Sequence, residues 1–172
     1  NTLRGVGLRD RVRIGCAGKV ITAFDIVRML ALGADWCNSA RGFMMAVGCI
    51  QAQTCHTGHC PTGVTTQDAL RQRALVPTDK APRVAHFHKN TLHALQELLQ
   101  AAGLKQTDDV EAHHIVRRID DAQVRLLSTL IPLVPEDAIL DDLDKLPTVY
   151  RLFWPMASAQ SSQQPHVGTA TT

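Results

Sequence analysis

The stretch GCAGKVITAFDIVRMLALGADWCNSARG, residues 15–42, constrains the fold of this chain more than any other. Residues 12–16 form a short β-prone run. Thr22 then has the chemistry of a helix N-cap, with Asp25 three positions on, Ile26 and Leu30 following at helical spacing, and Gly33 suited to the left-handed position beyond the helix. Residues 34–39 read as a second short strand. Strand, capped helix and strand within about thirty residues is the βαβ unit of a parallel sheet, which predicts an α/β fold.

Each predicted strand runs into a small residue, a glycine and a cation: Ala17, Gly18 and Lys19 after the first, Ala40, Arg41 and Gly42 after the second. Glycine lets backbone N–H groups approach an anion, Lys supplies charge, and Arg supplies a bidentate fork. Two adjacent loops of this kind would make a phosphate site, as the loops after strands 7 and 8 do in (β/α)8 barrels. Turn glycines and solvated cations would produce the same pattern. The earlier Gly5-Val6-Gly7 is no dinucleotide fingerprint, because Asp10 occupies the place of its third glycine.

Three of the five cysteines, Cys49, Cys55 and Cys60, fall in CIQAQTCHTGHCPTGV at C-x5-C-x4-C spacing. An odd count confined to the first 60 residues argues against a secreted disulfide framework and for a reducing, cytoplasmic setting with metal or redox chemistry. Structural zinc sites prefer closer pairs, although His56 or His59 could complete a zinc set. Wide spacing and Pro61 after the last thiol suit a loop wrapped around an iron–sulfur core. Inert or redox-sensing thiols are the third reading. Cys16 and Cys37 fall on the two strands and are expected in the core. With 18 Lys and Arg against 16 acids and no run of like charge, nothing calls for nucleic acid or anionic membrane as a partner. The sequence has neither a membrane-length apolar run nor a signal-peptide pattern at its start.

The run GKVITAFDIVRMLALGADWCNSARGFMMAVGCIQAQTCHTGHCPTGVTTQD, continued by RVAHFHKNTLHALQELLQAAGL, HHIVRR and YRLFWPMA, resembles the C-terminal part of the synthase domain of FMN-binding glutamate synthases over roughly residues 1 to 157. The resemblance implies the end of a TIM-type (β/α)8 barrel with a helical C-terminal appendage, and two cofactors, FMN and a [3Fe-4S] cluster. Matched by position, Gly18, Lys19, Arg41 and Gly42 would hold the FMN phosphate, and Cys49, Cys55 and Cys60 the cluster. The implied reaction reduces 2-iminoglutarate, from 2-oxoglutarate and ammonia, to glutamate, with electrons from a donor protein or an NAD(P)H-oxidising subunit. Gly58, where the family often has Asn, and Thr65, where it often has Ala, depart from the pattern at non-ligand positions. Six further barrel strands are expected upstream, with the groups that contact the flavin ring and substrate, and no side chain here stands out for acid–base work. A zinc-stapled interaction module and a non-redox barrel enzyme acting on a phosphorylated substrate are the alternatives.

The remaining sequence reads as support. The resemblance implies barrel units and the thiol loop (49–60) over 1–104 and an appendage over 105–157, and composition implies a disordered Ser-, Gln- and Thr-rich tail over 158–172. Val84, Phe87, Thr91, Leu95, Leu98 and Ala102 mark one face of an amphipathic helix ending before Gly103. His86, His88, His93, His113 and His114 lack acidic or thiol partners at ligand spacing and are expected to be solvated or packed. Residues 120–131 predict a further helix stopped by Pro132, and a short last helix is expected from Pro135.

Overall fold

The computed structural model describes residues 1–160. The tail expected from Ser158 lies outside the described residues from position 161 on. The chain divides into two compact units, one of residues 14–132 and one joining residues 1–13 to the chain from Leu133 on. Residues 105–132 fall in the larger unit.

The second unit begins with α1 (Thr2–Gly5) and a 3-10 turn at Arg9–Arg11. In the larger unit β1 (Gly15–Ala17) leads into α2 (Ala23–Ala31) and then β2 (Trp36–Asn38). The strands pair in parallel, Gly15 opposite Trp36, Cys16 opposite Cys37 and Ala17 opposite Asn38. The expected strand–helix–strand unit is therefore present, with each strand shorter than its β-prone run. Helix α2 starts as its sequence requires: Thr22 Oγ1 accepts the Asp25 amide at 3.2 Å, and Asp25 Oδ2 accepts the Thr22 amide at 2.9 Å. This reciprocal pair satisfies amides that the first helical turn leaves open.

Glycine at position 15 leaves room for a neighbouring ring. A Cβ there would lie 2.5 Å from the indole of Trp36, its partner across the strand pair. On the helix side Ala23, Val27, Leu30 and Ala31 of α2 are buried together with Leu95, Val110, Ala112, Ile115 and Leu127. Burying each of the larger aliphatic side chains is worth about 1.5–3 kcal/mol, so this cluster is what holds α2 in place.

Helix α3 (Arg41–Val47) follows β2, and α4 (Ala69–Gln72) and the long α5 (Pro77–Ala101) follow the thiol loop. Pro77 opens α5, where a missing N–H costs nothing. The expected stripe faces inward in part: Leu95 is buried, Val84, Phe87, Thr91 and Leu98 are half-buried, and Ala102 is exposed. Phe87 meets Phe43 of α3 edge to face, ring centres 5.3 Å apart.

The helix expected over 120–131 is not formed. Residues there build an antiparallel hairpin, β3 (Val116–Arg118) with β4 (Val124–Leu126), and only one helical turn, α6 (Leu127–Leu130). The reason is local: Asp120 Oδ1 accepts the Ala122 amide at 2.8 Å, which reverses the chain where a helix would have to continue. The short helix expected from Pro135 begins later, as α7 (Ala138–Asp141), because Asp137 takes a left-handed φ of 58°. A final helix, α8 (Thr148–Phe153), was not foreshadowed by periodicity. Val134, Ile139 and Leu146 form the core of this second unit, packed with Val6, Tyr150 and Trp154.

The Asp25 carboxyl is held below the usual Asp range, chiefly by the Thr22 amide and further by the Thr22 hydroxyl, the Ile21 amide and Arg28. Its contribution is therefore present above the unfolded carboxyl pKa and is lost as pH falls through the lower folded value. Asp25→Ala should cost about 1 kcal/mol at neutral pH. In thermal unfolding of the full protein, the gap between wild type and variant should narrow below about pH 4.

Candidate functional site

Because β1 and β2 are parallel, both of their C-terminal ends open on the same edge, and the two loops carrying the cations are neighbours. They are also tied. Ser39 Oγ, at the end of β2, donates to the Val20 carbonyl of the first loop at 2.6 Å. Val20 itself is 2 % exposed, so the tie sits on a fully buried anchor. The sequence reading missed Ser39; a short hydroxyl directly before Ala40-Arg41-Gly42 was the available signal.

The first loop turns through two successive residues of positive φ, Gly18 at 104° and Lys19 at 55°. Nothing lies within 4 Å of a Cβ built on Gly18, so backbone conformation and not space dictates glycine there. Gly42 differs. It is buried, and a Cβ would lie 2.7 Å from Ser39 Oγ and 2.8 Å from the Phe87 ring, so its small size seats α3 against α5. Lys19 and Arg41 are both exposed.

Arg41 lines a cavity of about 400 Å3 with Ile21, Met44, Met45, Cys49, Gln51, Gln53 and Cys55. The second cationic loop and two of the three thiols thus face a common space. Gly18 and Lys19 do not line it; Ile21 is the contribution of their loop.

The thiol loop leaves α3 at Gly48 and passes through Gln51 and Gln53, both left-handed with φ of 57° and 58°. A 3-10 turn, Cys55–Thr57, follows. Cys49, Cys55 and Cys60 line a narrow hollow of about 10 Å3 together with Met44, Thr62, Val64 and Thr65. His56 and His59 line neither this hollow nor the larger cavity and are exposed. Among the described residues no three His, Cys, Asp or Glu side chains are grouped to hold a single metal ion.

The sulfurs sit among donors. The Gln51 amide donates to Cys49 Sγ at 3.4 Å. Cys60, 8 % exposed, has Thr62 Oγ1 at 3.5 Å from its Sγ. Its thiol pKa is lowered to about 6, first by the Thr62 hydroxyl and then by the amides of Thr65 and Thr62. Donors aimed at sulfur favour the thiolate, the form that binds metal. The Thr65 hydroxyl is buried without a hydrogen-bond partner among the described residues. Gly63, at φ 75°, lets the loop after Cys60 pass against the Arg71 carbonyl at the end of α4, where a Cβ would collide. Cys16 and Cys37, expected in the core, are half-buried. No helix among the described residues is long and apolar enough to cross a membrane.

Residues 1–105 match the family model described as the conserved region in glutamate synthase. The chain is 40% identical over 129 residues to the glutamate synthase large subunit-like protein YerD of Bacillus subtilis, covering 75% of this chain and 25% of that protein. It is 34% identical over 111 residues to the archaeal glutamate synthase (NADPH) of Methanocaldococcus jannaschii, covering 64% of this chain and 22% of the relative. With ferredoxin-dependent glutamate synthase 2 of Synechocystis the identity is 37% over 120 residues, 69% of this chain and 7% of the relative. The chain spans a quarter or less of the length of these curated relatives. A strand–helix–strand unit with paired cationic loops and a three-thiol loop, matched by the family model over its first 105 residues, makes this chain a member of the glutamate synthase family.

Proposed function

We propose that this chain is the end of a (β/α)8 barrel, with a helical appendage, in a cytoplasmic oxidoreductase that reduces 2-iminoglutarate to glutamate. Its share would be to hold the phosphate of FMN through Gly18, Lys19, Arg41 and Gly42, and a [3Fe-4S] cluster through Cys49, Cys55 and Cys60. The observation that carries this reading is that the three thiols line one hollow while Cys49 and Cys55 also face the cavity lined by Arg41.

The donor set fits a cluster better than a lone zinc ion. In a trinuclear cluster each thiolate binds its own iron, so three sulfurs need to surround a volume and not converge on one point. A single zinc with three thiolates needs a fourth ligand, and neither neighbouring imidazole lines the hollow. When bound, the flavin would supply hydride transfer and the cluster single-electron relay. The protein's own work is positional. The Ser39 tie and the Val20 anchor hold the loops in register, the donors around Cys60 favour its ligating thiolate form, and the Arg41 guanidinium is available to an anion. Gly42 enters this scheme through packing, since its missing Cβ seats α3. Substrates 2-oxoglutarate and ammonia, and a donor protein or NAD(P)H-oxidising subunit, would be engaged by the protein as a whole.

Metal analysis of the full protein purified anaerobically tests the thiol assignment. About three irons and no zinc per chain are expected. Cys55→Ser should abolish the visible absorption and the iron, while His56→Ala and His59→Ala should each keep both. About one zinc, lost on replacing either histidine, would instead establish the zinc-stapled module.

The phosphate assignment has its own readout. Arg41→Ala removes a charge-assisted contact worth about 1.5–3 kcal/mol, so FMN should be retained on the order of tenfold to a hundredfold more weakly. An unchanged dissociation constant for FMN would refute the role of Arg41. Tight binding of a phosphate ester with no flavin would favour the non-redox barrel enzyme.

A further inference from the structure

Two nucleophilic side chains take no part in the site above. Cys16 and Cys37 are direct partners in the register of β1 and β2, so both leave the sheet on the same face. Adjacent strands lie about 4.8 Å apart, within the roughly 4.4–6.8 Å Cα separation that disulfides span. Both are free thiols and half-buried. Cys37 lines an apolar cavity of about 210 Å3 with Ile26, Phe43, Phe87 and Leu95. Burial, and after it the charge of Cys16, push its thiol pKa up, so the two sulfurs lie within electrostatic reach. Cys16 Sγ makes a long, exposed contact of 4.0 Å with the Ala17 carbonyl.

We propose that Cys16 and Cys37 form a reversible thiol–disulfide site that closes across the strand pair when the protein meets a small-molecule disulfide of the glutathione class. The Cys16 thiolate, on the more open side, attacks one sulfur of that disulfide; an S–S bond forms to Cys16 and one small thiolate leaves. Cys37 then attacks the Cys16 sulfur, forming the protein disulfide and expelling the second small thiolate. Two electrons pass from the cysteine pair to the added disulfide, and the two protons leave on the released thiols.

The geometry argues for reversibility. Side chains leaving neighbouring parallel strands point the same way, which holds their Cβ atoms near the strand spacing of about 4.8 Å, whereas disulfides prefer about 3.8 Å. Closing the bond therefore draws the strands together and stores strain, and a strained disulfide is more easily reduced. The strain would fall immediately before Gly18-Lys19 and Arg41-Gly42, whatever those loops bind.

Tryptic mapping of the full protein tests this. Cleavage after Arg13, Lys19, Arg28 and Arg41 places Cys16 in residues 14–19 and Cys37 in residues 29–41, while Cys49, Cys55 and Cys60 share residues 42–71. After treatment with oxidised glutathione and an alkylating quench, a linked 14–19/29–41 species is expected, lighter by two hydrogens than the sum of its peptides and abolished by dithiothreitol. Cys37→Ser should trap glutathione on Cys16. Full alkylation of both cysteines after that treatment would overturn the proposal, as would separate glutathione adducts on the two peptides of the wild type. Unmodified Cys16 in the Cys37→Ser variant would overturn its role as the attacking thiol.

Discussion

The parallel register of Gly15–Ala17 with Trp36–Asn38 is the constraint on which the rest of the larger unit depends. Parallel neighbours cannot be joined by a tight turn, so a crossover must be made, and α2 makes it. The crossover needs a buried face, which Ala23, Val27, Leu30 and Ala31 supply against Leu95 and Ile115. The same parallelism brings both strand ends to one edge, where the Ser39 to Val20 hydrogen bond fixes the loops side by side. Arg41 then stands at the head of α3, and α3 delivers the chain into the thiol loop. Local pairing, core packing and the composition of the candidate site are successive consequences of one register.

The thiol loop achieves its shape against backbone preference. Gln51 and Gln53 are both left-handed, a conformation that costs an ordinary residue roughly 1–2 kcal/mol. Some of that cost is offset on the spot. The Gln51 amide reaches Cys49 Sγ, and the Gln51 side-chain amide lies 3.8 Å from Met45 Sδ. Strain of this kind persists where surrounding structure over-determines it, and it collects at sites that hold ligands. Here it bends residues 49–55 back so that Cys49 and Cys55 border the same hollow as Cys60.

What was legible in the sequence was what local chemistry decides. The Thr22–Asp25 box, Gly33 beyond α2 at φ 97° and Gly103 beyond α5 at φ 73° act within a turn or two of chain, and their residue types carry the signal. The thiol spacing was legible too, because three sulfurs in twelve residues admit few explanations. Residues 120–131 were misread as helix because the apolar residues of DDAQVRLLSTLI satisfy helical spacing, while the deciding interaction is one Asp120 oxygen on the Ala122 amide. Ser39 offered only its place before Ala40-Arg41-Gly42, since its partner Val20 is 19 positions away and only the strand pairing brings them together. Gly42 was read only as an anion-binding glycine, and its packing against Phe87, a residue from another helix, could not be seen from the sequence. Local rules reach the elements; the roles of single residues between elements wait on the packing.

The Trp36 indole fills the space that any side chain at position 15 would need. Positions 15 and 36 therefore share a single allotment of volume across the strand pair. Over evolutionary time they are expected to vary together: a lineage that gains a methyl at 15 must shed the indole at 36 or swing it further toward solvent, to which it is already 47% exposed. An intermediate with a smaller residue at 36 leaves a gap, whereas one with a larger residue at 15 must displace the indole. The order of change, and not only its outcome, is written into this contact.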